Sequence, residues 1–144
     1  LDCSKSPILW KKELECGWKE IDDQHKELYE LANMLIRTSV SKKDRGEVLA
    51  EIDLALDRIE HHFRSEEKMI EEIGAPGVKE HTAEHHLLSE KLSHLRELYA
   101  KGEVKLSAVY TFIIDEIIIH HTEKFDLKYF PFVKRYLKKV LGQC

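Results

Sequence analysis

Apolar residues in this chain recur at alternating steps of three and four along four long stretches, the spacing that lines up one face of an α-helix. The stretch 52–73 shows the pattern most plainly, with Ile52, Ala55, Ile59, His62, Glu66, Met69 and Ile73 on a single stripe. Two members of that stripe are not apolar. His62 and Glu66 stand four apart, so both project from the same helical face. A carboxylate held among apolar neighbours costs on the order of several kcal/mol unless something in the interior compensates it.

The remaining stretches follow the same logic. Residues 1–17 have no sustained period; with Pro7, Gly17 and isolated apolar positions around Trp10, they predict an extended arm over the bundle, anchored by the tryptophan. From about 19 to 39, Ile21, His25, Leu28, Ala32 and Leu35 predict a first helix, whose first turn suits the Asp22/Asp23 pair. The polar break 41–46 holds Asp44 with Glu47 three residues on, a capping-box-like start for a second helix that should stop near Gly74, Pro76 and Gly77. A third helix over about 78–101 carries Val78, His81, His85, Leu88, Leu92, Leu95 and Tyr99, with Gly102 as its stop. The fourth begins near Leu106 and carries Tyr110, Ile114, Ile117 and His121. Pro131 is expected to end or kink it, leaving a short basic amphipathic helix to about 141. The fold class is therefore all-α: an up-down-up-down antiparallel four-helix bundle over 18–141, with an extended N-terminal arm and a short C-terminal helix, the chain 1–144 forming a single domain.

Composition narrows the classes of function. A chain of 144 residues, 42% hydrophobic and 35% charged, suits one soluble helical domain with a real core. The net charge of -4, with Lys and Arg interspersed among Asp and Glu, leaves no basic face for nucleic acid. No apolar run approaches the roughly 18 residues of a membrane span. No signal peptide is visible, and Cys3, Cys16 and Cys144 do not make a disulfide framework, so a cytoplasmic, reducing location is expected. The chain starts at Leu1 without a methionine, which reads as a processed product or a domain cut from something longer.

The candidate chemistry lies in the histidines. Of nine, His25, His62, His81, His85 and His121 follow the apolar stripes, while His61, His86, His94 and His120 fall off them or beside them. A single buried imidazole is usually just hydrogen-bonded to its surroundings. Five of them with a carboxylate, spread over all four helices, would need many mutual hydrogen bonds to offset desolvation, and a metal centre satisfies them together. The neighbours test the register: His61 has Ser65 four residues on and His86 has Thr82 four before, so His62/Glu66 and His81/His85 are the coordinating pairs on one face. The doubled His120-His121 is harder to read. Asp126, five beyond His121, is a second carboxylate of the kind a binuclear nitrogen/oxygen site would use as a bridge.

These residues carry a family resemblance. Ile21-Asp22-Asp23-Gln24-His25-Lys26-Glu27-Leu28, then His62-Phe63-Arg64-Ser65-Glu66-Glu67, then His81-Thr82-Ala83-Glu84-His85, then His121 with Asp126, together resemble the ligand signature of the hemerythrins, bacterial hemerythrins in particular, over about residues 10–137. The resemblance implies two iron ions with a bridging oxo or hydroxo group: His81, His85 and His121 on one, His25 and His62 on the other, Glu66 and Asp126 bridging. On that assignment about 11 of the roughly 12 positions of two octahedral ions are filled, and one stays open on the two-histidine iron for O2. The ferritin-like pattern of glutamates with two Glu-x-x-His motifs is absent. Where the family often has a tryptophan four residues before the fourth-helix histidine, this chain has Ile117, followed by Ile118 and Ile119, so an aliphatic pocket is expected. Glu84, Glu116 and Glu123, close to the ligands in sequence, read as solvated helix faces.

The function expected is reversible binding of O2, or of another small diatomic or anionic ligand, for carriage, storage or sensing. The alternatives are a di-iron enzyme reducing peroxide or nitric oxide, and the input domain of a larger signalling protein. A regular helix advances about 100° per residue, so His121 and Asp126 would point about 140° apart. For both to face the metals, the fourth helix must take up an extra residue between about 121 and 126, as a π-bulge or local unwinding.

Overall fold

A computed structural model describes residues 7–39 and 43–142. Cys3, Cys144 and the first six residues of the expected arm lie outside the described residues, as do residues 40–42 of the polar break. Four long rods carry the fold: α1 (Lys19–Thr38), α2 (Arg45–Ile73), α3 (Val78–Ala100), and a composite fourth rod. The fourth is built from α4 (Leu106–Thr111), a π-helical segment (Phe112–His121) and α5 (Thr122–Lys124). A 3-10 turn (Asp126–Lys128) leads into α6 (Phe130–Leu141). Each rod packs on its sequence neighbour and the π segment packs back on α1, which closes the four into an antiparallel ring.

The helix ends are made by the residues the sequence points to. Asp44 caps α2 by accepting from the Glu47 amide at 2.8 Å. Gly74, at φ 68°, closes the same helix in the left-handed region, with the Ala75 amide reaching back to the Ile70 carbonyl. At the start of α1 a different device appears: Asp22 turns back and accepts from the amides of Cys16 and Gly17 at 2.8 and 3.0 Å, tying the arm to the helix. Over its described residues, 7–17, the arm has no helix or strand apart from one 3-10 turn (Lys12–Leu14), and Ile8 exchanges two hydrogen bonds with the Asn33 side chain. Trp10 anchors it edge-on against Tyr29, ring centroids 5.1 Å apart.

The core is split in two. One apolar cluster includes Leu28, Leu35, Ile52, Ile59, Phe63, Leu88, Leu92, Ile113 and Ile117; the other gathers Cys16, Ile21, Met69, Ile70, Ala75, Tyr129, Phe130 and Val133. Along α1, His25 falls between Ile21 of the second cluster and Leu28 of the first, and along α2 Glu66 falls between Phe63 and Met69 in the same way. The buried histidines and carboxylates thus form a polar layer between two apolar ones.

Two expectations are corrected. Pro131 neither ends nor kinks the fourth rod: α5 stops at Lys124, and Pro131 sits in the first turn of α6, where its missing amide has no helical partner to lose. The wide turns lie before His121 rather than between 121 and 126. The ladder is α-like at 125, with the Phe125 amide on the His121 carbonyl at 2.9 Å, then tightens to 3-10 as Tyr129 bonds to Asp126. The reason is visible in the burial. Val109, Ile113, Ile117 and His121 form one buried column and Tyr110, Ile114, Ile118, Thr122 and Asp126 a second, every step being four residues. In an α-helix each step of four drifts by about 40°, so three steps would swing the column about 120° off the core. The i→i+5 turns of a π segment remove most of that drift. Among the described residues no helix is long and apolar enough to cross a membrane.

Candidate metal centre

All seven residues singled out in the sequence meet in the polar layer, and each is buried, His81 the most exposed at 8%. α1 supplies His25, α2 supplies His62 and Glu66, α3 supplies His81 and His85, and the fourth rod supplies His121; Asp126 comes from the 3-10 turn that follows. Their donor atoms fall into two overlapping groups, Glu66, His81, His85, His121 and Asp126 in one and His25, His62, Glu66 and Asp126 in the other, with all atoms of a group within 4.8 Å of one another. The two carboxylates belong to both groups. The off-stripe histidines His61, His86, His94 and His120 are exposed.

Glu66 shows the division atom by atom. Its Oε1 faces Nε2 of His81 at 2.6 Å and of His85 at 3.1 Å, while its Oε2 faces Nε2 of His25 and of His62, both at 3.2 Å. Asp126 spans the same gap, with Oδ1 3.0 Å from both His81 and His121 and Oδ2 3.0 Å from His25. Several rings are held from behind. His62 Nδ1 lies 2.8 Å from Gln24 Oε1, His85 Nδ1 lies 3.2 Å from Glu67 Oε2, and Phe125 stacks on His121. Such outer partners fix ring orientation and which nitrogen faces inward.

The protonation pattern follows from this packing. Burial pulls His25, His81 and His121 down, but the two carboxylates more than offset it and hold them at about 9, 9 and 10. His62 goes the other way. Burial dominates there, because it faces Glu66 without a close Asp126 oxygen and is repelled by charge on His25. Burial pushes both carboxyls up, yet the surrounding imidazoles hold Glu66 and Asp126 well below the usual carboxylate range.

The donor set fits cations better than it fits itself. Both Asp126 oxygens and His62 Nε2 are buried in the cluster, 3.0 to 3.2 Å from opposing ring nitrogens or a carboxylate oxygen, yet none of the three makes a well-formed hydrogen bond. Orphaned buried groups of this kind are costly, and ligation by a cation supplies their missing partner. Five nitrogens and two shared carboxylates can hold two ions side by side.

Periodicity alone missed several contributors. Tyr129 donates to Glu66 Oε2 at 2.8 Å from beyond the fourth rod, where no stripe could be drawn. Gln24 and Glu67 each stand next to a ligand candidate in sequence, a position that looks solvated until the neighbouring helix is placed. Of the acidic residues read as solvated, Glu116 is exposed, whereas Glu84 and Glu123 are half-buried and Glu123 lies 3.5 Å from the Tyr29 hydroxyl.

Comparison with known proteins agrees with this geometry. The family model described as the hemerythrin HHE cation binding domain matches residues 16–133. Curated relatives include bacteriohemerythrins of Methylococcus capsulatus, 29% identical over 76% of this chain and 83% of that protein, and of Stenotrophomonas maltophilia, 28% identical over 92% and 85%. A third, from Campylobacter jejuni, is 28% identical over 83% of this chain and 90% of its own length. No solved structure gave a significant match. A polar layer of five histidines and two shared carboxylates inside a four-rod bundle, together with a family match over most of its length, makes this chain a member of the hemerythrin HHE cation-binding family.

Proposed function

We propose that the chain holds two iron ions, with His81, His85 and His121 on one, His25 and His62 on the other, and Glu66 and Asp126 shared, and that it binds O2 reversibly. The observation that carries this reading is the overlap of the two donor groups through both carboxylates. When bound, the iron pair supplies reversible electron transfer to O2 at the position left open beside the two-histidine group.

The chain's own residues prepare that place. His62, whose Nδ1 contacts Gln24, keeps its orphaned Nε2 aimed inward. Ile117 and Ile118 are buried in the apolar cluster that also holds Leu28 and Phe63, so the turn of the fourth rod before His121 contributes aliphatic side chains beside the site. A dry aliphatic wall withholds protons and water, which favours release of an intact diatomic ligand over its irreversible loss in reduced form. A surface depression between α1 and α2, floored by Leu28 and His62 and edged by Gln24 and Arg58, brings solvent close to the same histidine and offers small ligands a route.

Metal analysis of the purified chain, with absorption spectra in air, under argon and after reduction, tests the reading. Two irons per chain and an oxygenated spectrum that reverses under argon support it; zinc or manganese in their place, or turnover without a reversible oxygenated form, would sink it. Glu66→Gln is expected to lose or scramble at least one metal, while His61→Ala and His86→Ala retain both. The reverse result would show that the ligand register is wrong.

A further inference from the structure

Glu66 and Asp126 are both buried and both shared between the two donor groups, but they are not held alike. Glu66 Oε2 accepts a hydrogen bond from the Tyr129 hydroxyl at 2.8 Å, a donor from outside the cluster, whereas the Asp126 oxygens face only the Nε2 atoms of His25, His81 and His121, at 3.0 Å, and make no well-formed hydrogen bond. The bond is also one-sided within Glu66. Oε2 is the oxygen that faces His25 and His62, and Oε1, facing His81 and His85, receives nothing from Tyr129.

We infer that Tyr129 is a positioning residue for the two-histidine metal position, acting through Oε2 of Glu66. This rests on the shared-carboxylate reading given above. A carboxylate oxygen has two lone-pair directions. With one taken by the phenol, Oε2 keeps a single direction, and that direction faces His25 and His62. The phenol is rigidly placed. Tyr129 is 3% exposed and sits at the join between the 3-10 turn and α6, with Phe130 and Val133 buried beside it against Ile70 and Met69. Pro131 in the first turn of α6 restricts the same backbone. The carbon chain of Glu66 has rotatable bonds, so without the phenol only the metal itself would fix Oε2.

A hydrogen bond also draws charge from the oxygen and weakens it as a donor, so two effects compete. Loss of an outer partner of a metal ligand typically lowers affinity about 10–100-fold, which shows that orientation generally outweighs the lost donor strength. The two-histidine position feels this most, because it has one imidazole fewer and depends more on its carboxylates. The three-histidine position therefore fills first, and Tyr129 sets how tightly the second ion is held.

The test is titration of the metal-free chain, residues 1–144, with cobalt(II), followed by calorimetry and visible absorption. Two binding steps are expected in the wild type. Tyr129→Phe should leave the first step unchanged and weaken the second at least about tenfold, while Phe130→Leu, which disturbs the same apolar cluster without removing a hydroxyl, leaves both steps in place. In the ultraviolet difference spectrum the tyrosine contribution should change with the second equivalent and not the first, and Tyr129→Phe should remove that change, which separates Tyr129 from the other four tyrosines of the chain. The inference is overturned if Tyr129→Phe weakens both steps equally, if the second step is unchanged, or if Phe130→Leu has the same effect as Tyr129→Phe. A wild-type chain that binds fewer than two ions overturns instead the two-metal reading on which it stands.

Discussion

Phe63 lies flat on the imidazole of His85, ring centroids 3.8 Å apart and planes 5° from parallel. It is one turn away from Glu66 on α2, so the helix that carries a ligand candidate also clamps the ring of another on α3. Phe63→Ala is expected to cost about 3–5 kcal/mol as a buried aromatic truncation. Because Phe63 and His85 share the wall of a surface depression with Arg64 and Glu67, the same change should open His85 to solvent and weaken metal retention. Phe63→Leu should cost less and keep both metals. Thermal unfolding with metal analysis checks both; full metal retention in Phe63→Ala would show that the stack does not serve the site.

Stability should depend on pH in opposite senses with and without metal. In the metal-free chain, His25, His81 and His121 have folded values of about 9 to 10 against an ordinary value near 6.5. Their contribution is fully present below about 6.5 and lost as pH rises through about 9 and 10. The depressed carboxyls act at the other end, contributing above the ordinary carboxylate range and losing that contribution as pH falls. Metal needs neutral imidazoles, so loading near pH 7.5 should release protons and its stabilisation should grow with pH. Unfolding midpoints of both forms across this range decide the matter. A metal-free midpoint that climbs from neutral pH to about 10 would contradict the protonated cluster.

Ile117→Trp probes the aliphatic wall. Ile117 is 2% exposed, and a larger ring there must displace neighbours at a typical cost of about 1–3 kcal/mol. If the wall tunes the site, the rate at which the oxygenated form decays in air changes with it. An unchanged decay rate in a folded variant would remove Ile117 from the functional residues.

Asp22→Ala should loosen the arm. The carboxylate takes two backbone amides that have no other acceptor in view, so its removal is expected to cost about 1–3 kcal/mol. Hydrogen exchange at Cys16 and Gly17 would rise first. Protection that survives the substitution would mean that packing of Cys16 and Leu14, not the carboxylate, holds the arm.

The stripe residues were legible because burial at steps of three and four is what an amphipathic helix requires. Ile21, His25, Leu28, Ala32 and Leu35 are all buried, and so are Ile52 through Met69 on α2. His62/Glu66 and His81/His85 could be placed because a four-residue step puts two side chains on one face whatever the neighbouring helices do. The fourth rod resisted for the same reason. An α-helical stripe through it runs Tyr110, Ile114, Ile117 and His121, yet its buried residues form two columns of four-residue steps, and the wide turns they call for shift the distortion upstream of His121. Tyr129 was invisible because its contact with Glu66 spans 63 residues and depends on how α6 folds back, which no local pattern encodes.

The π segment also bears on how related chains can be recognised. Deleting any one residue within 112–120 would keep His121 and Asp126 in the chain and five apart, yet turn both by about a quarter-turn relative to α4. An inventory of ligand types would score such a chain as complete while its fourth rod showed hydrocarbon to the metals. Competence therefore resides in a length, the count from Val109 to His121, as much as in the identity of any histidine.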